Sequence, residues 1–454
     1  MGKYQGYPDY KETHLEWLQE IPNHWQIKRL KYLGEAIIGL TYSPDDVVDS
    51  EDEGTLVLRS SNVQNKALAF DDNVFVNKPI PEHLKTRKGD ILICARNGSR
   101  ALIGKNAQID ERAEGMTFGA FMSVFRSPYN DYLSKVFNSA LFEYQSGTFL
   151  TATINQLTTA NLNSFEVPLP PESERETIAN FLDHETAKID ALIEKQQQLI
   201  KLLKEKRQAV ISHAVTKGLN PQVPMKDSGV EWLGEVPEHW NVTKFGYISQ
   251  VVRGGSPRPA GDPTLFDGDY SPWVTVAEIT KDDEIYLSET ETFLTKKGSE
   301  QCRVFTSGTL LLSNSGATLG VPKILSINAN ANDGVVGFEN LTLNSEFAYF
   351  YLSTLTHDLR ERIKQGSGQP NLNTDIVKNI FVPVPASPEE TDTIVSYIKS
   401  MCDKFDALAS KAKNAISLMQ ERRTALISAG VTGKIDVRNW QAPISQNQAL
   451  EQTA

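Results

Sequence analysis

The chain contains an internal repeat that extends over most of its length. Residues 15–25 read Leu-Glu-Trp-Leu-Gln-Glu-Ile-Pro-Asn-His-Trp, and residues 230–240 read Val-Glu-Trp-Leu-Gly-Glu-Val-Pro-Glu-His-Trp. The offset from Glu16 to Glu231 is 215 residues, about half of the 454-residue chain. A duplicated half predicts a molecule with pseudo-twofold symmetry, and the most common ligand of such a molecule is duplex DNA.

Two further segments recur in the same order. Val-Pro-Leu-Pro at 167–170 returns as Val-Pro-Val-Pro at 382–385. Glu-Lys-Arg-Gln-Ala-Val-Ile-Ser at 205–212 returns as Glu-Arg-Arg-Thr-Ala-Leu-Ile-Ser at 421–428. Between these motifs the halves differ, which predicts one scaffold that carries two different specificities.

Two long segments have the apolar period of a coiled coil. From Ile178 to about Ser212 apolar side chains recur with a period of 3.5 residues, and the pattern returns 216 residues later. Gly218 and Gly433 follow the segments, where a C-cap glycine is expected. The predicted seam residues are Ile178, Leu182, Ile189, Leu192, Leu199 and Leu203, then Ile394, Ile398, Phe405, Leu408, Met419 and Leu426.

These patterns predict two helices of roughly 35–40 residues, each about 50–60 Å long. Antiparallel pairing of the helices would bury both seams and place the two variable domains at opposite ends. The alternative is a pair of long core helices that do not form a coiled coil.

The regions 34–166 and 249–381 lack long helical patterns, so we expect an α+β fold in each. Gly, Asn, Ser and Asp separate their short apolar runs. The runs predict strands at 56–58, 91–93, 310–312 and 335–338, and short helices are expected near 132–144 and 346–364.

Polar loops in these regions carry the side-chain types that read bases. Arg pairs with guanine, and Asn or Gln pairs with adenine, in the major groove. Glycine lets backbone amides approach phosphates. The first-half candidates for DNA binding are Thr41, Tyr42, Arg59, Ser60, Asn62, Gln64, Arg96, Asn97, Ser99 and Arg100. The second-half candidates are Arg253, Gly255, Ser256, Arg258, Ser313, Asn314, Ser315, Ser367, Gln369 and Asn371. Ordinary turn chemistry is the competing interpretation for any one of them, whereas clustering in both halves favours binding.

Composition narrows the class of protein. The net charge of −11 argues against a simple DNA-binding protein, because phosphate contacts need Lys and Arg. An acidic chain can still present a basic face, and we expect partner subunits to supply part of the DNA contact. The three cysteines lack C-x-x-C spacing and indicate reduced thiols in a cytoplasmic protein. No run of 18 apolar residues and no apolar signal core is present.

No motif in the sequence indicates catalysis. The segment 98–106 resembles a phosphate loop, but its glycines are one residue too far apart and Asn106 replaces the required Ser or Thr. No G-x-G-x-x-G motif and no Asn/Asp-Pro-Pro-Tyr/Phe methyltransferase motif occurs. His24 and His239 lie in the Pro-x-His-Trp repeats and are expected to be structural. We therefore predict no catalytic residue, no bound cofactor and no metal site.

The repeated Glu-Trp-Leu-x-Glu-Ile/Val-Pro-x-His-Trp frame, the Val-Pro-Leu-Pro-Pro junction and the long helix resemble the specificity (S) subunits of type I restriction-modification enzymes. The resemblance extends over almost the whole chain, apart from the polar tail. It implies target-recognition domains at 1–173 and 219–388, spacer helices at 174–218 and 389–435, and a flexible polar tail at 436–454.

The resemblance also implies a function and partners. Each domain would read one half of a split, asymmetric duplex DNA target, and the helices would set the gap. Two methyltransferase (M) subunits would use S-adenosylmethionine, and two restriction (R) subunits would use ATP and Mg²⁺, in the cytoplasm of a bacterium or archaeon. The rival hypotheses are a fused enzyme and specificity protein, and a coiled-coil adaptor that binds only protein.

Overall fold

The structure, a computed structural model, describes residues 4–149, 155–316, 318–361 and 371–442. The described residues form two compact units. Unit 1 is drawn from residues 1–197 and 414–454, and unit 2 from residues 198–413. Each unit thus contains one variable region and a part of each long helix.

The first half contains short strands, four α-helices and several 3-10 turns. Its strands are β1 (Tyr10–Leu15), β2 (Leu18–Pro22), β3 (Gln26–Arg29), β4 (Glu35–Ile38), β5 (Val47–Val48), β6 (Thr55–Leu58), β7 (Val63–Gln64), β8 (Ala67–Leu68), β9 (Phe75–Val76), β10 (Ile91–Cys94), β11 (Asn106–Gln108), β12 (Thr117–Phe118), β13 (Met122–Arg126) and β14 (Glu166–Leu169). Its helices are α1 (Asn130–Phe137), α2 (Ala140–Phe149), α3 (Thr159–Ser164) and α4 (Glu172–Lys217).

The second half repeats this plan. Its strands are β15 (Met225–Asp227), β16 (Glu235–Pro237), β17 (Asn241–Lys244), β18 (Gln250–Arg253), β19 (Ser271–Val274), β20 (Tyr286–Leu287), β21 (Phe293–Leu294), β22 (Val304–Phe305), β23 (Leu310–Ser313), β24 (Pro322–Leu325), β25 (Ala329–Ala331), β26 (Val335–Glu339) and β27 (Phe381–Val384). Its helices are α5 (Phe245–Ile248), α6 (Pro263–Phe266), α7 (Val276–Thr280), α8 (Lys296–Ser299), α9 (Ser345–Glu361), α10 (Thr374–Lys378) and α11 (Pro388–Val431).

The two variable regions share a sheet topology. In unit 1 the antiparallel order is β11-β10-β13-β4, and in unit 2 the order is β18-β26-β23-β24-β20, with β20 as an added parallel edge strand. A second sheet has the order β12-β6-β9-β5 in unit 1 and β21-β19-β25-β22 in unit 2. Each second sheet contains one parallel pair, β6 with β12 and β19 with β25. The expected α+β class and its duplication are therefore confirmed.

The long helices exceed the predicted length, with 46 residues in α4 and 44 in α11. Within unit 1 their segments run antiparallel, because Leu182 lies against Gly430 while Asp190 pairs with Arg423. Within unit 2 the later part of α4 shares a core with the earlier part of α11, since Ile211 and Ala214 belong to the same buried cluster as Ile398. Gly218 and Gly433 have φ values of +71° and +76°, as the C-cap prediction requires.

The helices keep the predicted heptad period, but one of the two seam rows is displaced. Between residues 186 and 207 of α4 the buried or half-buried positions are 186, 189, 193, 196, 200, 203 and 207, which is six steps in 21 residues. A spacing of 3.5 residues is that of a coiled coil. One row, with Ile189 and Leu203, is the predicted one, and the other lies one residue after its predicted place, at 186, 193, 200 and 207.

The displaced row decides which predicted seam residues are buried. Ile178, Leu182, Ile189, Leu203, Ile394, Ile398 and Phe405 are buried, and Met419 and Leu426 are half-buried. The prediction is wrong for Leu192, Leu199 and Leu408, which are 47%, 41% and 48% exposed.

The duplicated motifs meet at one place in each unit, which we call the frame contact. In unit 1 the Trp25 Nε1–H group donates to Glu174 Oε1 at 2.9 Å, and His24 Nε2 lies 2.7 Å from Glu174 Oε2. In unit 2 Trp240 Nε1 donates to Glu390 Oε1 at 2.9 Å. Glu174 and Glu390 lie in the first turns of α4 and α11, so each start motif holds the beginning of one long helix.

The same tryptophans contact the end of the other helix. Gly433 lies against Trp25, and Gly218 lies against Trp240, at a spacing that leaves little room for a side chain. The strand after each tryptophan pairs with the Val-Pro junction, β3 with β14 and β17 with β27. In each unit the duplicated residues therefore connect the variable region to the beginning of one long helix and to the end of the other.

Candidate nucleic-acid interface

A groove of about 830 Å³ lies in unit 1 beside the loops that follow β4, β6 and β10. We call it the unit 1 groove. Because residue 39 is glycine, the loop after β4 can approach the chain at Gly119. A Cβ atom on Gly39 would lie 2.2 Å from the Gly119 carbonyl oxygen. Six of the predicted residues line the groove: Thr41, Tyr42, Arg59, Ser60, Arg96 and Asn97.

Polar contacts fix several side chains of this groove. Arg59 Nη2 donates to Asp72 Oδ1 at 2.8 Å and to the Asp72 carbonyl oxygen at 3.3 Å. Asn97 Nδ2 donates to Ser60 Oγ at 3.3 Å. The guanidinium carbon of Arg96 lies 5.3 Å from the centre of the Phe121 ring. Two arginines thus share the groove, and an aspartate pairs with Arg59.

The remaining first-half candidates lie elsewhere. Asn62 is fully buried, and its Nδ2 group donates to Ala69 O at 3.0 Å while its Oδ1 accepts from Arg59 N. Asn62 therefore supports the loop from inside, which corrects its assignment as a DNA-binding residue. Gln64, Ser99 and Arg100 are exposed but do not line the groove.

In unit 2 the candidates gather around the loop at 332–334. Ser256 Oγ donates to Asp333 Oδ1 at 2.8 Å, and Arg253 Nε donates to the Asp333 carbonyl oxygen at 2.6 Å. Ser315 lies beside Gly334 and forms an isolated bridge with Asn371. We call Arg253, Ser256, Ser315 and Asn371 the unit 2 face.

A carboxylate, Asp333, lies beside the arginines of the unit 2 face. The hydrogen bond from Ser256 and the guanidinium groups of Arg253 and Arg258 lower the pKa of Asp333, although partial desolvation acts in the opposite direction. Asp333 is therefore a carboxylate at neutral pH, and it offsets part of the positive charge of the two arginines. Gly255 has open space at its Cβ position, and the Arg258 backbone N–H donates to Gln301 Oε1 at 2.9 Å.

Two second-half candidates are buried, and the structure corrects their assignment. Ser313 Oγ donates to Thr318 O at 2.9 Å and accepts from Val321 N. Asn314 is fully buried. Its backbone N–H donates to the Gly334 carbonyl oxygen, and its own carbonyl oxygen accepts from the Leu372 N–H. Neither side-chain polar atom of Asn314 has a hydrogen-bond partner in the described part of the chain. Ser367 and Gln369 lie outside the described residues.

Backbone contacts identify which positions correspond in the two units. Arg96 forms an isolated bridge with Gln156, just as Ser315 does with Asn371. The Ala95 N–H donates to Phe121 O, and the Asn314 N–H donates to Gly334 O. Arg96 therefore corresponds to Ser315, and Phe121 corresponds to Gly334. The two units have different residues at the same backbone positions: Arg96 and Phe121 are exposed in unit 1, whereas Ser315 is half-buried and Gly334 is buried in unit 2.

Sequence reasoning missed Phe121 and Asp72, which both line the unit 1 groove. Phe121 is 60% exposed although it directly precedes the buried strand β13. The signal in the sequence was an aromatic residue next to Gly119 and Ala120, where a turn can leave the ring in solvent. Asp72 lies in an Asp-Asp-Asn turn, and only the fold places it opposite Arg59.

In the described residues no three or more His, Cys, Asp or Glu side chains are grouped so that they could hold a metal ion. In the same ranges no helix has the length and apolar character to cross a membrane. Cys94, Cys302 and Cys402 are free thiols.

Comparisons with known proteins agree with the duplication. A family model described as the type I restriction modification DNA specificity domain matches residues 22–202 and again residues 237–418. The EcoKI specificity subunit of Escherichia coli strain K12 is 24% identical over 441 residues, covering 93% of this chain and 91% of that protein. The StySPI specificity subunit of Salmonella potsdam is 22% identical over 440 residues, with coverage of 93% and 91%.

A similar fold is found among solved structures. A chain from a study of "complex assembly and conformational transition of the type I R-M system" has a TM-score of 0.67 and 16% identity. The match covers 91% of this chain and 99% of that chain. At this identity the likeness shows the fold.

Proposed function

Because the chain belongs to the family of type I restriction modification DNA specificity domains, we propose that each unit reads one half of a split duplex DNA target. The observation that carries this proposal is the correspondence of Arg96 with Ser315 and of Phe121 with Gly334. One backbone with different residues at matching positions is suited to two different half-sites. The target is then asymmetric even though the scaffold is repeated.

The helices α4 and α11 supply the gap between the half-sites in this proposal. Their lengths of 46 and 44 residues correspond to about 69 and 66 Å at 1.5 Å per residue. The seam residues that are buried hold the helices together within each unit. A fixed helix length favours a fixed gap.

We further propose that M subunits dock on the exposed apolar side chains of the long helices. Leu192 and Leu418 in unit 1 are 47% and 65% exposed, and Leu199, Leu202 and Leu408 in unit 2 are 41%, 60% and 48% exposed. Large apolar side chains left in solvent on a helix are typical of a protein interface. In this proposal methylation with S-adenosylmethionine and ATP-driven cleavage with Mg²⁺ belong to the M and R subunits, in the cytoplasm of the host.

The test is to map methylated adenines in DNA from cells that express the chain with its M subunits. The wild-type map gives both half-sites and the gap. Arg59→Ala in unit 1 and Arg253→Ala in unit 2 should each relax one half-site and leave the other unchanged. The proposal fails if either variant alters both half-sites equally. Methylation by the purified chain alone would instead support a fused enzyme, and a complex without sequence-specific duplex binding at moderate salt would support a protein adaptor.

A further inference from the structure

The two arginines of the unit 1 groove are not equivalent. Arg59 is one-third exposed and donates to Asp72, so part of its hydrogen-bonding capacity is already used and its charge is offset. Arg96 is exposed, and within the described residues its guanidinium group has neither a hydrogen bond nor an ion pair. Its one described side-chain contact is the Phe121 ring. Arg96 is therefore the arginine with free donors.

The contact with Phe121 prepares Arg96 for a planar partner. A guanidinium group beside an aromatic ring is oriented by the ring but keeps its N–H groups available at its edge. Such an edge matches the N7 and O6 acceptors of guanine in the major groove. Because the contact with the ring limits the freedom of a long side chain, less entropy is lost when the pair forms.

Phe121 is a large apolar side chain that lies mostly in solvent. The ring is 60% exposed at the wall of a groove that also contains Tyr42 and Val47. An exposed apolar ring next to a base-reading arginine can contact the 5-methyl group of thymine, the apolar group of the major groove. Arginine and ring together present donors and an apolar surface side by side.

We propose that Arg96 and Phe121 act as one reading element, in which Arg96 pairs with a guanine and Phe121 packs on the methyl group of an adjacent thymine. This inference rests on the proposed function, because it assigns bases to one half of the target. Unit 2 has Ser315 and Gly334 at the corresponding positions, so the element acts in one half-site only. Arg59, paired with Asp72, supports the groove and does not carry this guanine preference.

The experiment uses the full chain in complex with its M subunits and a duplex that carries the mapped target. Each guanine of the target is replaced in turn by 7-deazaguanine, which lacks the N7 acceptor. One such replacement should weaken wild-type binding by roughly 10-fold or more, because one of the two charge-assisted hydrogen bonds of the pair is lost while O6 remains. The same replacement should leave the binding of Arg96→Ala unchanged within about two-fold, because that variant no longer uses N7.

The neighbouring base is tested in the same way. Replacement of the adjacent thymine by uracil removes one methyl group and should weaken wild-type binding about four-fold, but not that of Phe121→Ala. Arg96→Lys keeps the charge and loses the forked geometry, so it should behave as Arg96→Ala does at that guanine. Arg87→Ala, an exposed arginine near the opposite end of β10, is the matched control and should keep the wild-type sensitivity to both analogues.

Several outcomes would overturn the inference while leaving the proposed function intact. One is a target without a guanine whose analogue distinguishes wild type from Arg96→Ala. Another is that Arg96→Ala weakens binding equally on every sequence while Arg96→Lys binds like wild type, which is the behaviour of a phosphate contact. If the wild-type complex shows no preference for any sequence, the proposed function itself is wrong.

Discussion

The two units share the frame contact and differ in the residues of their candidate DNA-binding loops. In both, a start-motif tryptophan donates to a glutamate in the first turn of a long helix at 2.9 Å. At corresponding positions unit 1 has the exposed Arg96 and Phe121, while unit 2 has the half-buried Ser315 and the buried Gly334. The comparison indicates that the repeated residues fix the backbone in both units, whereas the residues at the ends of the strands differ between the units.

The two frame contacts are not energetically equal. Glu174 is 5% exposed and also accepts a hydrogen bond from the Tyr7 hydroxyl, whereas Glu390 is 31% exposed. A buried carboxylate that loses a donor carries a larger desolvation cost than a partly solvated one. The comparison between units can therefore be tested by removing the same group from each.

The largest effect is expected from the two frame tryptophans. Trp25→Ala and Trp240→Ala each remove a fully buried ring and the donor to a glutamate. Each should lower the free energy of unfolding of its unit by about 3–5 kcal/mol, and Trp25→Ala should cost more because Glu174 is the more buried carboxylate. Denaturant unfolding followed by limited proteolysis measures the loss and assigns it to a unit.

The other tryptophan of each start motif provides the control. Trp17 and Trp232 are half-buried, so Trp17→Ala and Trp232→Ala should cost clearly less than the frame variants. Equal losses for Trp17→Ala and Trp25→Ala would mean that the buried frame contact is no more important than the rest of the motif. Equal losses for Trp25→Ala and Trp240→Ala would mean that burial of the glutamate does not distinguish the units.

The frame was the part that sequence reasoning could predict. Its residues recur in order, and strands β6, β10, β23 and β26 follow from apolar runs that stay buried in any compact arrangement. The predicted helix at 346–364 corresponds to α9, and the one at 132–144 is divided into α1 and α2. These features depend on local period and composition, which a sequence shows directly.

The orientation of individual polar side chains could not be predicted in the same way. Asn314 directly follows β23, whereas Ala95 lies between β10 and Arg96, so Asn314 corresponds to Ala95 and not to Arg96. A shift of one residue at the end of a strand moves a side chain from the solvent to the core. Asn62, Ser313 and Asn314 are buried although their sequence surroundings are polar, and Leu192, Leu199 and Leu408 are exposed because the buried row lies one residue after each of them.

A smaller effect on stability is expected at Gly334, the unit 2 residue that corresponds to Phe121. A Cβ atom on Gly334 would lie 2.7 Å from Val276 Cγ2 and 2.9 Å from Ser315 Oγ. Gly334→Ala should therefore lower the stability of unit 2 by about 1–2 kcal/mol through overpacking. Phe121→Ala should change the stability of unit 1 by less than about 1 kcal/mol, since most of the ring is in solvent. Thermal unfolding of both variants makes the comparison.

Gly255→Ala is the matched control for Gly334→Ala. Gly255 lies in the same unit, and a Cβ atom there meets no atom within 4 Å. We expect no measurable loss for this variant. If Gly334→Ala is as stable as Gly255→Ala, the two positions are equally open, and the difference between units at this site would not come from steric restriction.

The smallest effect concerns the charge of Glu390 in the unit 2 frame contact. Partial burial favours its neutral form, but hydrogen bonds from Trp240 and His239 outweigh that effect and lower its pKa below the ordinary value of 4.5. A carboxyl group with a lowered folded-state pKa stabilises the fold above its unfolded-state pKa. That contribution decreases as the pH falls from about 4.5 and is absent below the folded-state pKa.

Glu390→Gln should therefore be less stable than wild type by about 1 kcal/mol at neutral pH, and the difference should vanish in acid. Thermal unfolding between neutral pH and pH values below the ordinary carboxyl range measures it. Glu238→Gln removes an exposed charge close to the same histidine and should show no such convergence. Repeating the series with His239→Gln separates the imidazole from the indole as donors to Glu390. A difference between wild type and Glu390→Gln that persists unchanged in acid would mean that the contact depends on shape and not on the carboxylate charge.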